Sequence, residues 1–234
     1  MSILSQLFLP EICCICGEIA DDGVFFDSGK GKIKSPFCAA CTARLEKSFR
    51  CTEKQIQGIS AHAVYLFSFN DETTERAIYH IKTIGCSRSI GFFAELAKLV
   101  LKEFIKEKGV CITNVPRSIS LLEKFGFDQS ERVTRTLVRA SDNFRYKKLF
   151  ERDKRFKKSQ RLMGERERLT NARKSLKLFD RNTPEKVIVI DDMITTGATA
   201  IATYELLTSA GCGKIYFLFL AGKEKTKERR TQNE

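Results

Sequence analysis

The sequence predicts an α/β chain: a mainly parallel sheet flanked by helices, preceded by a small cysteine-rich module. Three observations predict it. From residue 61 onward, apolar runs of strand length alternate with segments of helical periodicity, the pattern of right-handed strand–helix–strand crossovers. One of those runs, Val187–Ile190, leads directly into two acids and a threonine- and glycine-rich turn. Ahead of them, residues 10–50 hold five of the nine cysteines.

In chain order, Gly23 to Asp27 and Lys32 to Phe37 are short β-prone pieces inside the cysteine-rich module. Ala61 to Phe69 reads as a strand and Thr73 to Lys82 as a helix. Arg88 to Lys108 reads as a long amphipathic helix that turns Phe92, Leu96, Leu99 and Phe104 inward. Val110 to Val115 is a short apolar strand ended by Pro116. A helix near Ser118 to Lys124, a turn at Gly126 and a helix from Gln129 to Ala140 follow. Lys186 to Asp192 is a strand buried on both faces, Thr199 to Ser209 a helix, and Lys214 to Ala221 the last strand. These elements divide the chain into a module over residues 1–56, a main domain over 57–222 and a polar tail over 223–234.

Composition sets the class. With 42% hydrophobic and 30% charged residues the chain is too apolar to be disordered. No segment is long and apolar enough to span a bilayer, and the N-terminus lacks the cationic start and small-residue cleavage site of a secretory signal, so a cytoplasmic protein without membrane insertion is expected. The net charge of +12 acquires meaning only where it clusters. Between Arg145 and Lys177 basic residues far outnumber acidic ones, with Phe144, Tyr146, Phe150 and Phe156 interleaved. That stretch is either a solvated helix surface or a cationic face for a polyanion.

The chemistry concentrates at VIVIDDMITTGAT, Val187 to Thr199. Open α/β sheets bind ligands at the carboxyl ends of their strands, which is where Asp191 and Asp192 fall. Two such carboxylates can accept hydrogen bonds from vicinal ribose hydroxyls. Thr195, Thr196, Gly197, Ala198 and Thr199 then offer hydroxyls and approachable backbone amides at a helix N-terminus, an anion cradle. A Walker loop is excluded, because the glycine-lysine-serine/threonine ending is absent. The block resembles the signature of the type I phosphoribosyltransferases, so the ligand it implies is phosphoribosyl pyrophosphate.

Cys13 and Cys16, then Cys38 and Cys41, form two CxxC pairs with residues 17–37 between them. Each pair can fill two vertices of a tetrahedron, so together they make a closed thiolate site suited to structural Zn2+ in a zinc-ribbon-like module. Cys14 can replace either ligand of the first knuckle. Cys51, Cys86, Cys111 and Cys212 stand alone and read as packing residues, and His62 and His80, without companion ligands, as structural.

Further segments narrow the resemblance. YHIKTIG at Tyr79 to Gly85, Val115-Pro116-Arg117, GFDQS at Gly126 to Ser130, and Gln160, Arg168 and Asn171 at their mutual spacing resemble the ComF family of competence-associated phosphoribosyltransferase-like proteins. That family joins a four-cysteine zinc module to this fold. Two departures stand out: Asp128 where members usually carry asparagine, and RLMG in the turn after Gln160.

The resemblance implies that Pro116 and Arg117 lie on the loop that holds pyrophosphate, with Lys82 and Arg168 as nearby cations and Asp191 and Asp192 as catalytic acids. The implied reaction is displacement of pyrophosphate from C1 of the sugar with Mg2+ bridging diphosphate and ribose. The implied setting is natural transformation, with single-stranded DNA and the DNA-uptake helicase machinery as partners. Two alternatives stand beside it: a nucleobase-salvage or amido-phosphoribosyltransferase, and a non-catalytic nucleic-acid-binding factor that retains the phosphoribosyl site.

Overall fold

The computed structural model describes residues 10–20, 23–106, 108–155 and 164–223. Phe156, Gln160 and nearly all of the polar tail lie outside them. A hairpin of β1 (Phe25–Asp27) and β2 (Lys32–Lys34) leads to α1 (Ala39–Ser48) and β3 (Phe49–Glu53). Next come β4 (His62–Ser68), α2 (Glu72–Thr83), α3 (Ser87–Phe104), β5 (Val110–Asn114), α4 (Ile119–Phe125) and α5 (Gln129–Arg139). The remainder is β6 (Phe144–Tyr146), β7 (Phe150–Arg152), α6 (Glu165–Ser175), β8 (Leu176–Leu178), β9 (Lys186–Ile194), α7 (Ala198–Ser209) and β10 (Lys214–Gly222).

Six strands form one sheet in the order β3-β4-β10-β9-β5-β6. Every pairing in it is parallel except β3 with β4. This is an α/β fold with a mostly parallel central sheet flanked by helices, as the strand–helix alternation predicts. β9 lies between β10 and β5, with Phe219 opposite Asp191 and Asn114 opposite Ile190. The acid pair therefore sits at mid-sheet, beside the end of β5.

The four inner strands are buried on both faces, and their residues alternate between two cores with the period of two that a pleated strand requires. Ile188, Ile190, Leu218 and Leu220 face α2, α3 and α5. Val187, Val189, Phe217 and Phe219 face α6 and α7 through Ala172, Ala200, Ala202 and Leu207.

The N-terminal module packs into the first of these cores. Cys13, Phe26, Phe37 and Leu45 share a buried cluster with Phe67, Phe92 and Leu218. Phe26 meets the rings of Phe92, Phe49 and Phe67 edge-on, at 5.2, 5.6 and 5.9 Å between centroids. Such edge-to-face contacts add about 0.5–1.5 kcal/mol each beyond area burial. β3 lies on the module side of the expected boundary at residue 56, and it forms the antiparallel edge of the main sheet.

Three local expectations change. α3 ends at Phe104 and not at Lys108, and Phe104 is 45% exposed: the line Phe92, Leu96, Val100 stays covered, but the last turn runs past its cover. β9 continues two residues beyond Asp192 to Ile194. The basic stretch is not a single helix surface, because β7 and β8 pair antiparallel across it with α6 between them. Among the described residues, no helix is long and apolar enough to cross a membrane.

Candidate functional site

Asp191 and Asp192 lie in the last part of the central strand β9, near its carboxyl end, with their carboxylates in different company. The Asp192 amide donates to Asp191 Oδ1 at 2.9 Å. Lys82 Nζ, from the last turn of α2, stands 3.2 Å from Asp192 Oδ1, and the Gln129 amide, at the start of α5, donates to Asp192 Oδ2. Burial first, and the Asp192 charge second, push the Asp191 carboxyl up to about 8, against the pull of the Asp192 amide, Lys82 and Arg152. Two adjacent acids thus share the site with one of them inclined to stay neutral.

Past the strand the chain turns through Thr195 and Thr196 to Gly197, the N-cap of α7, with φ +80°. Only glycine holds this left-handed conformation without penalty, and a Cβ here would also stand 2.9 Å from Ile56 Cγ2. Thr196 Oγ1 lies 3.5 Å from the Ala198 amide, and Thr199 is the second residue of α7. The helix presents its first-turn amides and the positive end of its dipole beside the acid pair, the arrangement that binds phosphate.

The neighbouring loop, Val115 to Ser118, is pinned at three points. The Val115 amide donates to Ile190 O at 3.0 Å. Arg152 Nε donates to Pro116 O at 2.8 Å, while its Nη1 donates to Ser175 Oγ at 2.8 Å. The Arg117 amide donates to Asp128 Oδ2 at 2.7 Å, and Asp128 also caps α5 by accepting from the Glu131 amide at 3.1 Å. The two bonds go to different oxygens, so an asparagine at 128, with one acceptor and an NH2 donor, could keep only one of them in this geometry; Asp128 keeps both at the cost of a buried carboxyl, which burial pushes upward.

The sequence-predicted residues separate at this point. Asp191, Asp192, Lys82, Pro116 and the Thr195–Thr199 turn meet at one end of the sheet. The Arg117 guanidinium is enclosed beside them: it is 8% exposed, lies over the rings of Phe125 and Phe127, donates from Nη1 to Phe127 O at 3.1 Å, and has Asp128 and Asp192 as its opposing charges. Arg117 thus belongs to the loop through its backbone while its charge is enclosed. Arg168 is carried by the first half of α6, on the α7 side of the sheet.

Three residues enter the site that sequence reasoning did not assign to it. Gln129 is 4% exposed, holds Asp192 with its side-chain amide, and keeps Oε1 buried without a partner among the described residues. Arg152 is a cation turned into the structure, with Asp191 and Asp128 as the nearest opposing charges. Asp128 latches the loop to α5. GFDQS already singled out Asp128 and Gln129 as a segment, though nothing local marked either as a site residue. Arg152 carried no signal, being one more cation in a basic stretch.

The cysteine cluster forms as the spacing predicts. The sulfurs of Cys13, Cys16, Cys38 and Cys41 all lie within 4.8 Å of one another, and Cys16 Sγ is 3.6 Å from Cys38 Sγ. A tetrahedron with Zn–S bonds near 2.3 Å has edges of about 3.8 Å. The cluster is therefore the right size and donor set for a metal ion and is compatible with structural zinc. Cys14 is not an alternative ligand, since its sulfur points away and approaches Cys86 Sγ at 3.3 Å, so Cys86 is not a lone packing residue either. His62 stacks on Tyr216 across the β4–β10 pair.

No protein-family model matches the chain. Over 36 residues, 15% of its length, it is 53% identical to an adenine phosphoribosyltransferase of Picosynechococcus sp., and the match spans 21% of that protein. Among solved structures it is similar to a hypoxanthine phosphoribosyltransferase from Staphylococcus aureus. That pair shares 14% identity at a TM-score of 0.34, over 63% of this chain and 70% of the other. An adenine phosphoribosyltransferase from Saccharomyces cerevisiae, complexed with adenine and an imino-altritol bisphosphate, shares 16% identity at a TM-score of 0.33, over 79% and 89% of the two chains.

Proposed function

We propose that the chain is a phosphoribosyltransferase-type protein that binds 5-phosphoribosyl pyrophosphate with Mg2+. One observation carries the reading: an acid pair at the end of the central strand stands directly beside a glycine-capped helix N-terminus and a pinned neighbouring loop. The high local identity to an adenine phosphoribosyltransferase supports it.

In this reading Asp191 and Asp192 hold the ribose hydroxyls, and the amides and hydroxyls of Thr195 to Thr199 hold the 5-phosphate. The loop at Pro116 and Arg117 contributes backbone to the pyrophosphate, and Lys82 supplies positive charge. Arg168, near the start of α6, is a second cation for the pyrophosphate. The acid pair and the unpartnered Gln129 Oε1 are hard oxygen donors of the kind Mg2+ prefers, directly or through its waters. The ion would screen the diphosphate charge as pyrophosphate departs. The chain's own part is positioning: the fixed carboxylates stabilise positive charge developing on the sugar, and the helix N-terminus anchors the phosphate.

Calorimetric titration with phosphoribosyl pyrophosphate and Mg2+, followed by an assay for released pyrophosphate, tests the reading. Absence of binding, or binding that survives alanine at both Asp191 and Asp192, would sink it. Gln129→Ala is expected to weaken donor binding about tenfold, the size of one hydrogen bond to a charged group. Unchanged affinity would remove Gln129 from the site.

A second reading concerns single-stranded DNA and a place in natural transformation beside a DNA-uptake helicase. One observation favours it: Phe179 is 57% exposed, and Lys148 Nζ lies 4.5 Å over its ring, an aromatic platform with a cation of the kind on which bases stack. Against it, Lys147 pairs with Asp180, Lys177 and Arg155 with Asp153, and Arg173 with Glu205, so part of the basic stretch is engaged in ion pairs. Phe179→Ala should weaken salt-sensitive binding of an oligothymidine at least threefold if this face is used. Equal affinities for both proteins would exclude the face.

A further inference from the structure

Beyond the four clustered cysteines, one thiol pair remains that neither the metal cluster nor the acid site accounts for. Cys14 and Cys86 are separated by most of the N-terminal third of the chain, yet their sulfurs lie 3.3 Å apart. Cys14 lies in the first cysteine knuckle between Cys13 and Cys16 but is not part of their cluster. Cys86 is the N-cap of the 18-residue α3, where the helix dipole favours a thiolate. Both residues are partly exposed, and Ser89, one turn into α3 and fully buried, lies against both sulfurs.

We propose that Cys14 and Cys86 are a site of oxidative modification, a thiol pair that a hydroperoxide converts to a disulfide while the clustered cysteines keep their metal. In the first step one sulfur attacks the peroxide: an S–O bond forms, the O–O bond breaks, and the leaving oxygen departs as water or an alcohol with the thiol proton. In the second step the other sulfur displaces the hydroxyl: the S–S bond forms, the S–O bond breaks, and a second water leaves. The two sulfurs together lose two electrons, which the peroxide accepts. An S–S bond near 2.05 Å requires the sulfurs to close by little more than about 1 Å. The other cysteines are poorly placed to form such a pair: Cys111 and Cys212 are buried, the clustered four are engaged with one another, and Cys51, though partly exposed, lies near Lys30 and Glu103 and not beside a second thiol among the described residues.

The position gives the bond a structural consequence. Cys86 follows Gly85, whose backbone packs so closely on Phe127 that a Cβ there would stand 2.8 Å from the ring. Lys82, paired with Asp192, lies within the same short segment. Oxidation would fasten the cysteine knuckle to the turn between α2 and α3, next to the acid site.

The test uses the full chain supplied with zinc, exposed to one equivalent of hydrogen peroxide and digested without reduction for mass spectrometry. The expected product is a peptide pair joined through Cys14 and Cys86 with the loss of two hydrogens, zinc still bound, and a thermal midpoint several degrees higher, because the link restricts the unfolded chain. Cys86→Ser should abolish the linked pair and the shift alike, and Cys14→Ser gives an independent check. Zinc release with oxidation of the clustered cysteines while Cys14 and Cys86 stay reduced would overturn the proposal. So would a rise in the thermal midpoint on peroxide treatment that persists in either variant.

Discussion

Replacing Asp191 by asparagine is expected to stabilise the folded chain while it removes Mg2+-dependent binding of phosphoribosyl pyrophosphate. Burial and the neighbouring Asp192 carboxylate raise Asp191 to about 8 from a reference of 3.8. Between those two values the folded chain keeps a proton that the unfolded chain releases, so stability is greatest below about pH 4 and falls as pH rises through 8. Asparagine keeps the acceptor for the Asp192 amide without the ionisation, and should add on the order of 2 kcal/mol at pH 8. Denaturant unfolding at pH 5 and pH 8 measures this; the gain should shrink toward pH 5. The same proton must leave for the carboxylate to hold ligand. Donor affinity in the unsubstituted chain is therefore expected to rise about tenfold per pH unit between 6 and 7 and to level off above 8. A flat profile, or a destabilised Asp191→Asn chain, would dispose of this account of the acid pair.

Removing metal from the cysteine cluster is expected to cost the whole fold, not only the module. Cys13, Cys38 and Cys41 belong to the buried cluster that includes Phe92 and Leu218, so the ligands are part of the packing on one face of the sheet. Two buried hydroxyl contacts reinforce the link: Ser35 with Thr42 at 2.6 Å inside the module, and Ser48 with Thr74 at 2.7 Å between α1 and α2. Chelation, or Cys38→Ser, should destabilise by about 4 kcal/mol or more, which for a chain of this size moves the thermal midpoint by roughly 10 °C. Calorimetry with and without chelator checks it. A single transition moving as a whole is the expected result; a midpoint indifferent to chelator would show that the thiols bind no structural ion.

What could be read from the sequence is what is local. The run from Val187 to Thr199 declares strand, acids and phosphate turn in adjacent residues, so its geometry follows from the backbone alone. The CxxC spacing likewise sets two knuckles before any tertiary contact forms. Gln129 and Arg152 were not legible, because each reaches the site through sheet order: β5 pairs with β9, and that pairing carries the loop, α5 and the β6–β7 segment to the acids. Arg117 was legible only in part. The resemblance implied its loop, but not that the aromatic residues at 125 and 127, brought back by α4, enclose its guanidinium. The meeting of Cys14 with Cys86 was hidden for the same reason, since only the packing of the module against α3 brings them together.

The antiparallel strand β3 has a bearing on the chain's behaviour before it is fully folded. Its pairing with β4 slips between Phe49 and Thr52, and Cys51 there takes a left-handed backbone, φ +46°, so the outermost strand is short and bent. A bent, brief margin makes a poor template for a strand from another molecule. β4 behind it is the opposite: seven residues, nearly all buried, with a regular ladder already made on its other side. Until β3 is in place, β4 is open to association with a second chain, and the module that supplies β3 thus acts as an internal guard against self-association.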